Sequence, residues 1–519
     1  MAAPHLAWCC FGVVAGTVVG LLPGIGPLAA MALLLPLVPA LDAGSALILL
    51  AAVHYGAQAG GTTAASMASR TSGRALAIPA LASFLAGCIA TLVIAVVLPI
   101  VAAVGDAFGP AEEFSFMALA LVGSVALASG SLSKAAGMIL VGLLLGQWDH
   151  DMATGAVRVA PLLASVTPGA MFIGLAIGLF AIGGVLARLP GAGGVMQVQV
   201  QVQVEEGAPT IPPAVAPGVD ETMPAADPSA TPLDRAPTIR AHARALLRAL
   251  QRDAARAAGP WPRLADLRRA AGPLLLGTLL GTLIGMLPGR SPRLAAIVAE
   301  TARRRLATRH PTLAADAVLA PESAHHAAAQ ASLLPLLALG LPVNAVTALM
   351  AGALGLKRIL PGPPFAPTSP VLPWIVVTSM LIGNGLLLVL NLPLAPLWDR
   401  VRRVPWTVLF PFIVVASGLA LWALAGNPMD VVVGTFFGLV GALLLRLGCD
   451  PAPLLLAFVL GPAMEDRLRR ALAQTNGDAS LFATRPLAAL ALFGCIAIAS
   501  LVWLPSVRER RNALFGERG

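Results

Sequence analysis

Charge is scarce in this sequence. Only 11% of its 519 residues are Asp, Glu, Lys or Arg, and aromatic residues contribute 5%, with a single tyrosine. Soluble proteins carry about a quarter charged residues, so the composition argues against a soluble protein. Hydrophobic residues reach 57%, which also argues against disorder, although Gly (52) and Pro (44) are abundant. We therefore expect a polytopic membrane protein whose helices are repeatedly interrupted.

Lysine is nearly absent. Lys134 and Lys357 are the lysines of the chain, so arginine supplies most of the basic residues behind the net charge of +9. These residues are concentrated between apolar segments, in the ranges 235–269, 303–309, 400–403 and 508–518. Cytoplasmic loops of membrane proteins show this excess of positive charge. The distribution favours cytoplasmic loops and argues against a nucleic-acid partner.

Cysteines and catalytic motifs are sparse as well. The five cysteines lie in or beside apolar runs and form no C-x-x-C pair, so we interpret them as small buried hydrophobic residues rather than metal or redox ligands. The sequence contains no G-x-S-x-G, no H-E-x-x-H, no phosphate-binding loop and no clustered pair of acids. We expect no catalytic residue, no metal site and no cofactor, and hence no enzyme.

A polar stretch divides the chain into two membrane halves. The linker contains alternating Val and Gln at 195–204 and an arginine at every fourth position from 240 to 256. On a helix, the arginine spacing makes a basic stripe that suits either anionic lipid headgroups or solvent. The apolar stretches predict an all-α fold of about 11–12 transmembrane segments, some broken or re-entrant. The predicted parts are 1–189 (first half), 190–270 (cytoplasmic linker), 271–505 (second half) and 506–519 (basic cytoplasmic tail).

The two halves share a motif. Residues 16–24 read GTVVGLLPG and residues 281–289 read GTLIGMLPG, which are identical at six of nine positions, and a proline follows three residues later in each. Glycines four residues apart also occur where two helices pack closely. A Leu-Pro-Gly break that recurs in both halves is, however, typical of the binding site of a secondary transporter. We therefore predict two related, inverted repeats with a broken helix in each.

Several further stretches are specific when they are taken together. They are 20–27 (GLLPGIGP), 33–36 (LLLP), 54–56 (HYG), 60–61 (GG), 320–322 (APE), 333–342, 391–393 (NLP) and 460–462 (LGP), with Glu465, Arg469 and Arg470. Through them the chain resembles the TctA-type large membrane subunit of the tripartite tricarboxylate transporters, from Gly12 to Leu504 except for 190–237. The resemblance implies a multi-pass permease of the bacterial inner membrane that takes a carboxylate from a periplasmic binding protein. It also implies a small membrane subunit as partner and an ion gradient as the driving force.

The chemistry of the residues supports a carboxylate site independently. A Pro-Gly break leaves backbone N–H groups unpaired and directs the positive end of a helix dipole at the cavity, which suits an anion. Glycines let the backbone approach a carboxylate, and Thr62 adds a hydroxyl unless that hydroxyl bonds a helix carbonyl. His54 and Tyr55 either contact substrate or form an interior hydrogen-bonded pair. The candidate substrate-binding residues are Pro23, Gly24, Gly26, His54, Tyr55, Gly60, Gly61, Thr62, Pro288, Gly289, Arg290 and Asn344.

Ionisable residues inside the apolar halves are candidates for ion coupling. A central charge costs roughly 2.5–3.5 kcal/mol on insertion scales, so it should face a cavity or a partner. Glu322 either binds the coupling ion or stabilises a helix N-terminus through the dipole. His325 and His326 leave a helix about 100° apart, so they do not both face one site. His325 is the second candidate for ion coupling.

The presumed site departs from the family pattern. The family's Pro-Gly-Ala-Gly, paired asparagines, double glycine and Pro-Gly-Ser become 288–291 (PGRS), 325–326 (HH), 330–331 (QA) and 342–344 (PVN). Arg290 either clamps a carboxylate or plugs the pocket. The alternatives to a carboxylate permease are a diverged relative that carries another solute and a membrane scaffold that binds partner subunits without transport.

Overall fold

The computed structural model describes residues 3–22, 25–69, 73–105, 108–128, 131–147, 168–189, 264–289, 291–307, 317–357, 371–391, 395–402, 404–425 and 428–504. Within these ranges the regular secondary structure is helical, and no strand occurs. The predicted all-α class is confirmed. The predicted linker before residue 264 and the basic tail lie outside the described residues.

The described part of the first half begins with a long helix and a short returning one. Its helices are α1 (Ala3–Leu21), α2 (Pro27–Leu34, continued by the 3-10 segment Leu35–Ala40), α3 (Ala43–Ser69), α4 (Gly73–Gly105), α5 (Pro110–Ala126), α6 (Leu132–Gly146), α7 (Pro168–Ala176) and α8 (Gly183–Leu186). A π-helical segment, Ile177–Ile182, joins α7 to α8.

The second half begins with the same pattern of a long helix and a break. Its helices are α9 (Leu264–Gly285), α10 (Ser291–Ala307), α11 (Leu319–Ala331), α12 (Leu334–Leu339), α13 (Ala345–Leu356), α14 (Leu372–Asn391), α15 (Ala395–Arg402), α16 (Trp406–Ala425), α17 (Pro428–Arg446), α18 (Ala452–Gln474), α19 (Leu481–Thr484) and α20 (Pro486–Trp503).

Local sequence explains several helix boundaries. Pro27 and Pro110 occupy the first turn of their helices, where the missing N–H group has no intrahelical partner to lose. Ser131 caps α6 by accepting a hydrogen bond from the backbone N–H of Lys134 at 3.3 Å. Gly340 ends α12 at φ +69°, a left-handed conformation that glycine adopts without steric cost.

Six described helices are long and apolar enough to cross a membrane. They are Ala3–Leu21, Ile78–Gly105, Gly169–Leu186, Leu372–Leu390, Trp406–Ala423 and Pro428–Arg446. Shorter apolar helices are Pro27–Ala40, Leu132–Gly146, Ala345–Leu356 and Pro486–Val502. The prediction of a polytopic membrane protein is confirmed. Ala345–Leu356 is mostly buried and fits a re-entrant piece, which is tolerated at membrane depth where protein surrounds it.

α9 shows how lipid-facing and buried surfaces alternate. Leu275, Leu279 and Leu283 are 56%, 63% and 57% exposed, which suits a face in contact with lipid. The glycines at 277, 281 and 285 lie on the other face and contact α11. One hydrophobic core then joins both halves: it includes α3, the π-helical segment, α12, α13 and α17. The helices α3 and α11 lie inside the protein and are surrounded by these apolar helices.

Candidate functional site

In the first half, α1 and α3 pack backbone to backbone. A Cβ atom at Gly16 would lie less than 3 Å from the carbonyl oxygen of Val53, and one at Gly20 equally close to that of Ala57. A side chain at either position would force the helices apart. Residue numbers rise together along the two helices, so α1 and α3 run parallel.

The second half repeats this arrangement. Cβ atoms at Gly281 and Gly285 of α9 would lie less than 3 Å from the carbonyl oxygens of Ala324 and Ala328 in α11. These glycines are the ones that the shared sequence motif aligns with Gly16 and Gly20. The duplicated motif is therefore a duplicated pair of parallel helices, and both helix pairs use the same glycine positions for close packing.

The two helix pairs meet where α3 crosses α11, and they run in opposite directions. Gln58 Oε1 lies 2.5 Å from His325 Nε2. His54, one turn earlier in α3, lies beside the backbone of Ala329, one turn later in α11. The register of the duplication equates His54 with His325 and Gln58 with Ala329. Swapping the two halves therefore turns the Gln58–His325 contact into the Ala329–His54 contact, and the reverse. This exchange defines an inverted repeat with a pseudo-two-fold axis at the crossing.

The break after α9 has a defined conformation. Gly289 has φ +108°, a backbone conformation that favours glycine. Its N–H group donates to the carbonyl oxygen of Val343 at 3.0 Å. Pro288 packs against Gly123 of α5. The structure thus places the second Pro-Gly pair against the segment that leads into α13, which contains the predicted site residue Asn344.

Asn344 and Gly60 each have a structural role. The Asn344 side chain caps α13 by accepting a hydrogen bond from the Thr347 backbone N–H at 2.9 Å. A Cβ atom at Gly60 would lie less than 3 Å from the carbonyl oxygen of Thr17, so Gly60 continues the close packing of α3 on α1. Both residues shape the site region through packing and capping in this structure.

His54 and Tyr55 do not form a hydrogen-bonded pair. The Tyr55 hydroxyl donates to the carbonyl oxygen of Ser379 in α14 at 3.2 Å and also lies 3.6 Å from Cys9 Sγ. The His54 side chain is 2% exposed, and neither ring nitrogen has a hydrogen-bond partner among the described residues. Tyr55 therefore fixes α3 against α14, whereas His54 is buried at the crossing with unused polar atoms.

The first Pro-Gly break is described only in part. Gly26, which precedes α2, is exposed, and a Cβ atom there would meet no heavy atom within 4 Å, so its backbone is open to a ligand. Gly61 is half-buried, and its nearest neighbour would be the carbonyl oxygen of Gly20 at 3.8 Å. The predicted site residues Pro23, Gly24 and Arg290 lie outside the described residues.

A basic residue at the start of α10 faces the crossing. Arg293 lies in the first turn of this 17-residue helix, close enough for its charge to act on the His325 ring. Sequence reasoning missed Arg293 and selected Arg290. A signal was available, because a cation in a first helical turn opposes the helix dipole and needs another reason to be there. Arg293 and the helix N-terminus together provide a positive field beside the crossing.

Both adjacent histidines of α11 reach α3. His326 Nε2 lies 3.1 Å from Thr62 Oγ1, and the Thr62 hydroxyl also lies 3.1 Å from the carbonyl oxygen of Ala59. The ring centroids of His325 and His326 are 6.0 Å apart, with the ring planes at 81°. The side chains leave α11 in different directions, yet their partners Gln58 and Thr62 are one turn apart on the same helix.

Glu322 lies in the first turn of α11. It is 9% exposed, and its Oε1 accepts a hydrogen bond from Ser83 Oγ of α4 at 3.1 Å. The position fits both interpretations of the sequence, an ion-coupling acid and an acid stabilised by the helix dipole. In the described part of the chain, no group of three or more His, Cys, Asp or Glu side chains is placed to hold a metal ion.

A carboxamide cluster lies deeper in the same region. Gln330 Nε2 donates to Asn384 Oδ1 of α14 at 2.5 Å, and the Thr91 hydroxyl of α4 donates to Gln330 Oε1. A Cβ atom at Gly87 would collide with both carboxamides. Gln330 was visible in the sequence as a departure from the family, and Thr91 and Asn384 were visible as polar residues within apolar spans. Their meeting point depends on how α4, α11 and α14 cross, which the sequence did not reveal.

The arrangement has a clear chemical character. Polar side chains from both halves converge at the α3–α11 crossing, within helices whose outer faces are apolar. The groups present there are a guanidinium, imidazoles, carboxamides and hydroxyls, which can bind an anion and exchange a proton.

Comparison with known proteins agrees with the architecture. The sequence model of the tripartite tricarboxylate transporter TctA family matches residues 6–69 and 66–456. No solved structure matches the chain.

Two curated relatives come from Agrobacterium vitis. The chain is similar to the "Uncharacterized 52.8 kDa protein in TAR-I ttuC' 3'region", at 38% identity over 537 aligned positions that cover 99% of this chain and 96% of the relative. It is also similar to the "Uncharacterized protein in TAR-II ttuC' 3'region", at 46% identity over 204 positions that cover 39% of this chain and 84% of the relative. Neither name assigns a substrate.

Proposed function

The chain belongs to the tripartite tricarboxylate transporter TctA family, and on that basis we propose that it is the permease subunit of a secondary transporter for an organic di- or tricarboxylate. Family membership and the apolar helices make it a multi-pass membrane protein with a transport role. The substrate, the coupling ion and the partner subunits belong to the proposal.

The observation that carries the proposal is the inverted arrangement of two parallel helix pairs. α1 with α3, and α9 with α11, pack through equivalent glycines and cross in opposite directions at Gln58 and His325. Inverted repeats with broken helices place substrate at the repeat interface in known secondary transporters. The polar residues at this crossing lie where such a site is expected.

The charge at the crossing favours an anionic substrate. Arg293 and the N-terminus of α10 supply positive charge, and Gln58 and Thr62 add polar groups on the facing helix. A carboxylate there would gain charge-assisted hydrogen bonds, which are stronger than neutral ones. The exposed backbone at Gly26 is our candidate for the corresponding element of the first half.

An ion gradient would drive the transport. Glu322 and His325 are the candidates for carrying the coupling ion, because both are ionisable and both lie on α11 beside the crossing. Binding of a carboxylate near either group changes the cost of protonating that group, so substrate and ion binding are linked.

The partners follow from the tripartite organisation of the family. A periplasmic binding protein would deliver the carboxylate, and a small membrane subunit would pack against the apolar outer faces, which otherwise contact lipid. With these partners, the permease would lie in a bacterial inner membrane.

Uptake into proteoliposomes tests the proposal. The chain is reconstituted with a candidate small membrane subunit and a candidate binding protein, and uptake of labelled citrate, malate and succinate is measured with imposed proton or sodium gradients. We expect gradient-dependent accumulation of at least one carboxylate. A Gly24→Leu variant should lose it, because the side chain blocks backbone approach at the break.

A negative result has a specific meaning. If no carboxylate accumulates although the chain is folded and both partners are bound, the scaffold alternative replaces transport. If the chain accumulates a neutral solute and carboxylates do not compete for that uptake, the chain is a diverged relative with another substrate.

A further inference from the structure

His325 meets a carboxamide on the facing helix. Its Nε2 lies 2.5 Å from Gln58 Oε1, and its ring lies beside the backbone of Pro292. Proline has no backbone N–H group, so the Pro292 carbonyl can only accept, and it suits a ring whose Nδ1 carries a proton.

The Nε2 side of the ring can carry a proton or lack one. When Gln58 presents its carbonyl oxygen, Nε2 donates, and His325 is a charged imidazolium when Nδ1 is protonated as well. When the Gln58 amide is turned over, its NH2 group donates to an unprotonated Nε2 and the ring is neutral. Gln58 can therefore satisfy both protonation states of His325 without any movement of α3 or α11.

Arg293 couples this proton to an anion. Its positive charge acts on the His325 ring and opposes a second positive charge there. A carboxylate bound to Arg293 removes that opposition, because it neutralises the guanidinium. Protonation of His325 and binding of a carboxylate therefore favour each other, and the linkage is reciprocal.

The charged and titratable neighbours of His325 are few among the described residues. Glu322 lies one turn earlier on the same helix, and its carboxylate accepts from Ser83 of α4. His326 is bonded to Thr62. The groups whose charge interacts with the ring from the packed elements are His54 from α3 and Arg293 from α10. The polar residues of α4 and α14 nearby are neutral: Ser83 donates to Glu322, and Asn384 bonds Thr91.

His54 is the counterpart of His325 in the other half. It is 2% exposed and has no hydrogen-bond partner among the described residues. It lies beside Ala329, the residue of α11 that corresponds to Gln58, the partner of His325. Its charge would also act on His325. Transporters built from inverted repeats rock one repeat against the other during transport. A buried imidazole with unused nitrogens at the pseudo-two-fold axis is placed to receive the proton when His325 releases it.

We propose that His325 carries the coupling proton and that the Gln58 amide turns over to match the protonation state of His325. His54 is the second proton acceptor at the crossing. The proposal rests on the proposed carboxylate transport. One proton binds with the carboxylate from the outer side and leaves with it to the cytoplasm. The protein then returns to its starting protonation state, so the cycle moves one proton inward down its gradient.

The test separates coupling from substrate binding. Proteoliposomes that contain the full chain with its partner subunits are loaded with a pH-sensitive dye. Two assays use labelled citrate or another accepted carboxylate: accumulation driven by an imposed proton gradient, and exchange against unlabelled carboxylate at equal pH on both sides. The variants are His325→Gln, His54→Gln and Gln58→Glu, with His5→Gln as the control because His5 lies at the start of α1 beside Asp42.

The expected result is a split between the two assays. In His325→Gln, gradient-driven accumulation and substrate-dependent acidification should fall at least about tenfold more than exchange falls, one decade being about 1.4 kcal/mol. Gln58→Glu should move the pH profile of uptake to higher pH, because a carboxylate beside the ring holds the proton. His54→Gln should slow accumulation without removing exchange, and His5→Gln should change neither assay.

Two results would overturn the proposal. One is proton-driven accumulation in His325→Gln equal to that of the unaltered protein. The other is accumulation that follows a sodium gradient and is insensitive to pH. If the unaltered protein shows neither exchange nor accumulation, carboxylate transport itself is wrong, which is a distinct outcome from loss of coupling with exchange intact.

Discussion

Gly281 of α9 lies so close to Ala324 of α11 that a Cβ atom on the glycine would overlap the Ala324 carbonyl oxygen. Gly16 has the same relation to Val53 in the first half. Backbone contact of this kind fixes the rotation of each helix about its axis. Since α3 and α11 carry the polar side chains of the crossing, the glycines determine which residues face it.

Gly281→Ala should destabilise the protein. One additional methyl group in a tight helix contact costs typically about 1–3 kcal/mol, because the helices must separate to accept it. The control is Gly418→Ala in α16, where a Cβ atom would meet nothing within 4 Å. The control should be neutral or should stabilise by up to about 1 kcal/mol through helix propensity. Thermal unfolding in detergent measures both, and equal midpoints would contradict the packing argument.

Arg293→Gln should weaken carboxylate binding. A hydrogen bond to a charged group contributes about 1.5–3 kcal/mol, so KM should rise roughly 10- to 100-fold. Arg304→Gln is a matched control on the same helix, since Arg304 is 65% exposed and pairs with Glu300 away from the crossing. Uptake kinetics for both variants provide the measurement. A similar KM change in the two variants would mean that Arg293 acts only through the general charge of α10.

Loss of one member of the carboxamide cluster should be costly. Gln330→Ala leaves the buried Oδ1 of Asn384 without its donor, which costs about 1–3 kcal/mol. Asn384→Ala should cost a similar amount for the same reason. The double variant should cost less than the sum of the single variants, by about 0.5–3 kcal/mol, as contacting residues do. Additive changes in the free energy of unfolding would show that the two side chains do not interact.

Asn344→Ala should reduce stability through loss of the α13 cap. The expected cost is about 0.5–2 kcal/mol, because the Thr347 N–H group loses its side-chain acceptor. Asn344→Ser should recover most of the stability, since serine is also a good cap. Unfolding of the two variants in detergent distinguishes them. Equal destabilisation by Ala and Ser would indicate that the Asn344 amide serves something other than the cap.

Much of the fold could be predicted from the sequence. The low charge and long apolar runs predict a polytopic helical protein, and the repeated Gly-Thr motif at 16–24 and 281–289 predicts two related halves. Close helix packing through the glycines of the motif was the alternative to a broken helix at a binding site, and the structure shows that packing in both halves. These features depend on local composition and on helical periodicity, which a single sequence contains.

The partners across the crossing could not be predicted. That Gln58 meets His325, and that Gln330 meets Asn384, depends on the rotation and offset of helices that are distant in sequence. The roles of Asn344 as a cap and of Gly60 as a packing glycine are likewise visible only in three dimensions. Glycine and proline patterns locate breaks in a chain, but they do not say which residues face each other across a membrane.

The central claim is that a carboxylate binds where α3 crosses α11. The most direct test is alkylation of Thr62→Cys in a chain whose five native cysteines are replaced by serine, with Gly418→Cys in α16 as the control. Maleimide labelling is followed over a range of carboxylate concentrations in a preparation that transports that carboxylate. We expect saturating carboxylate to slow labelling at residue 62 at least about tenfold, a change of about 1.4 kcal/mol, and to leave residue 418 unchanged. Equal labelling of Thr62→Cys with and without the transported carboxylate would place the substrate elsewhere and contradict the account.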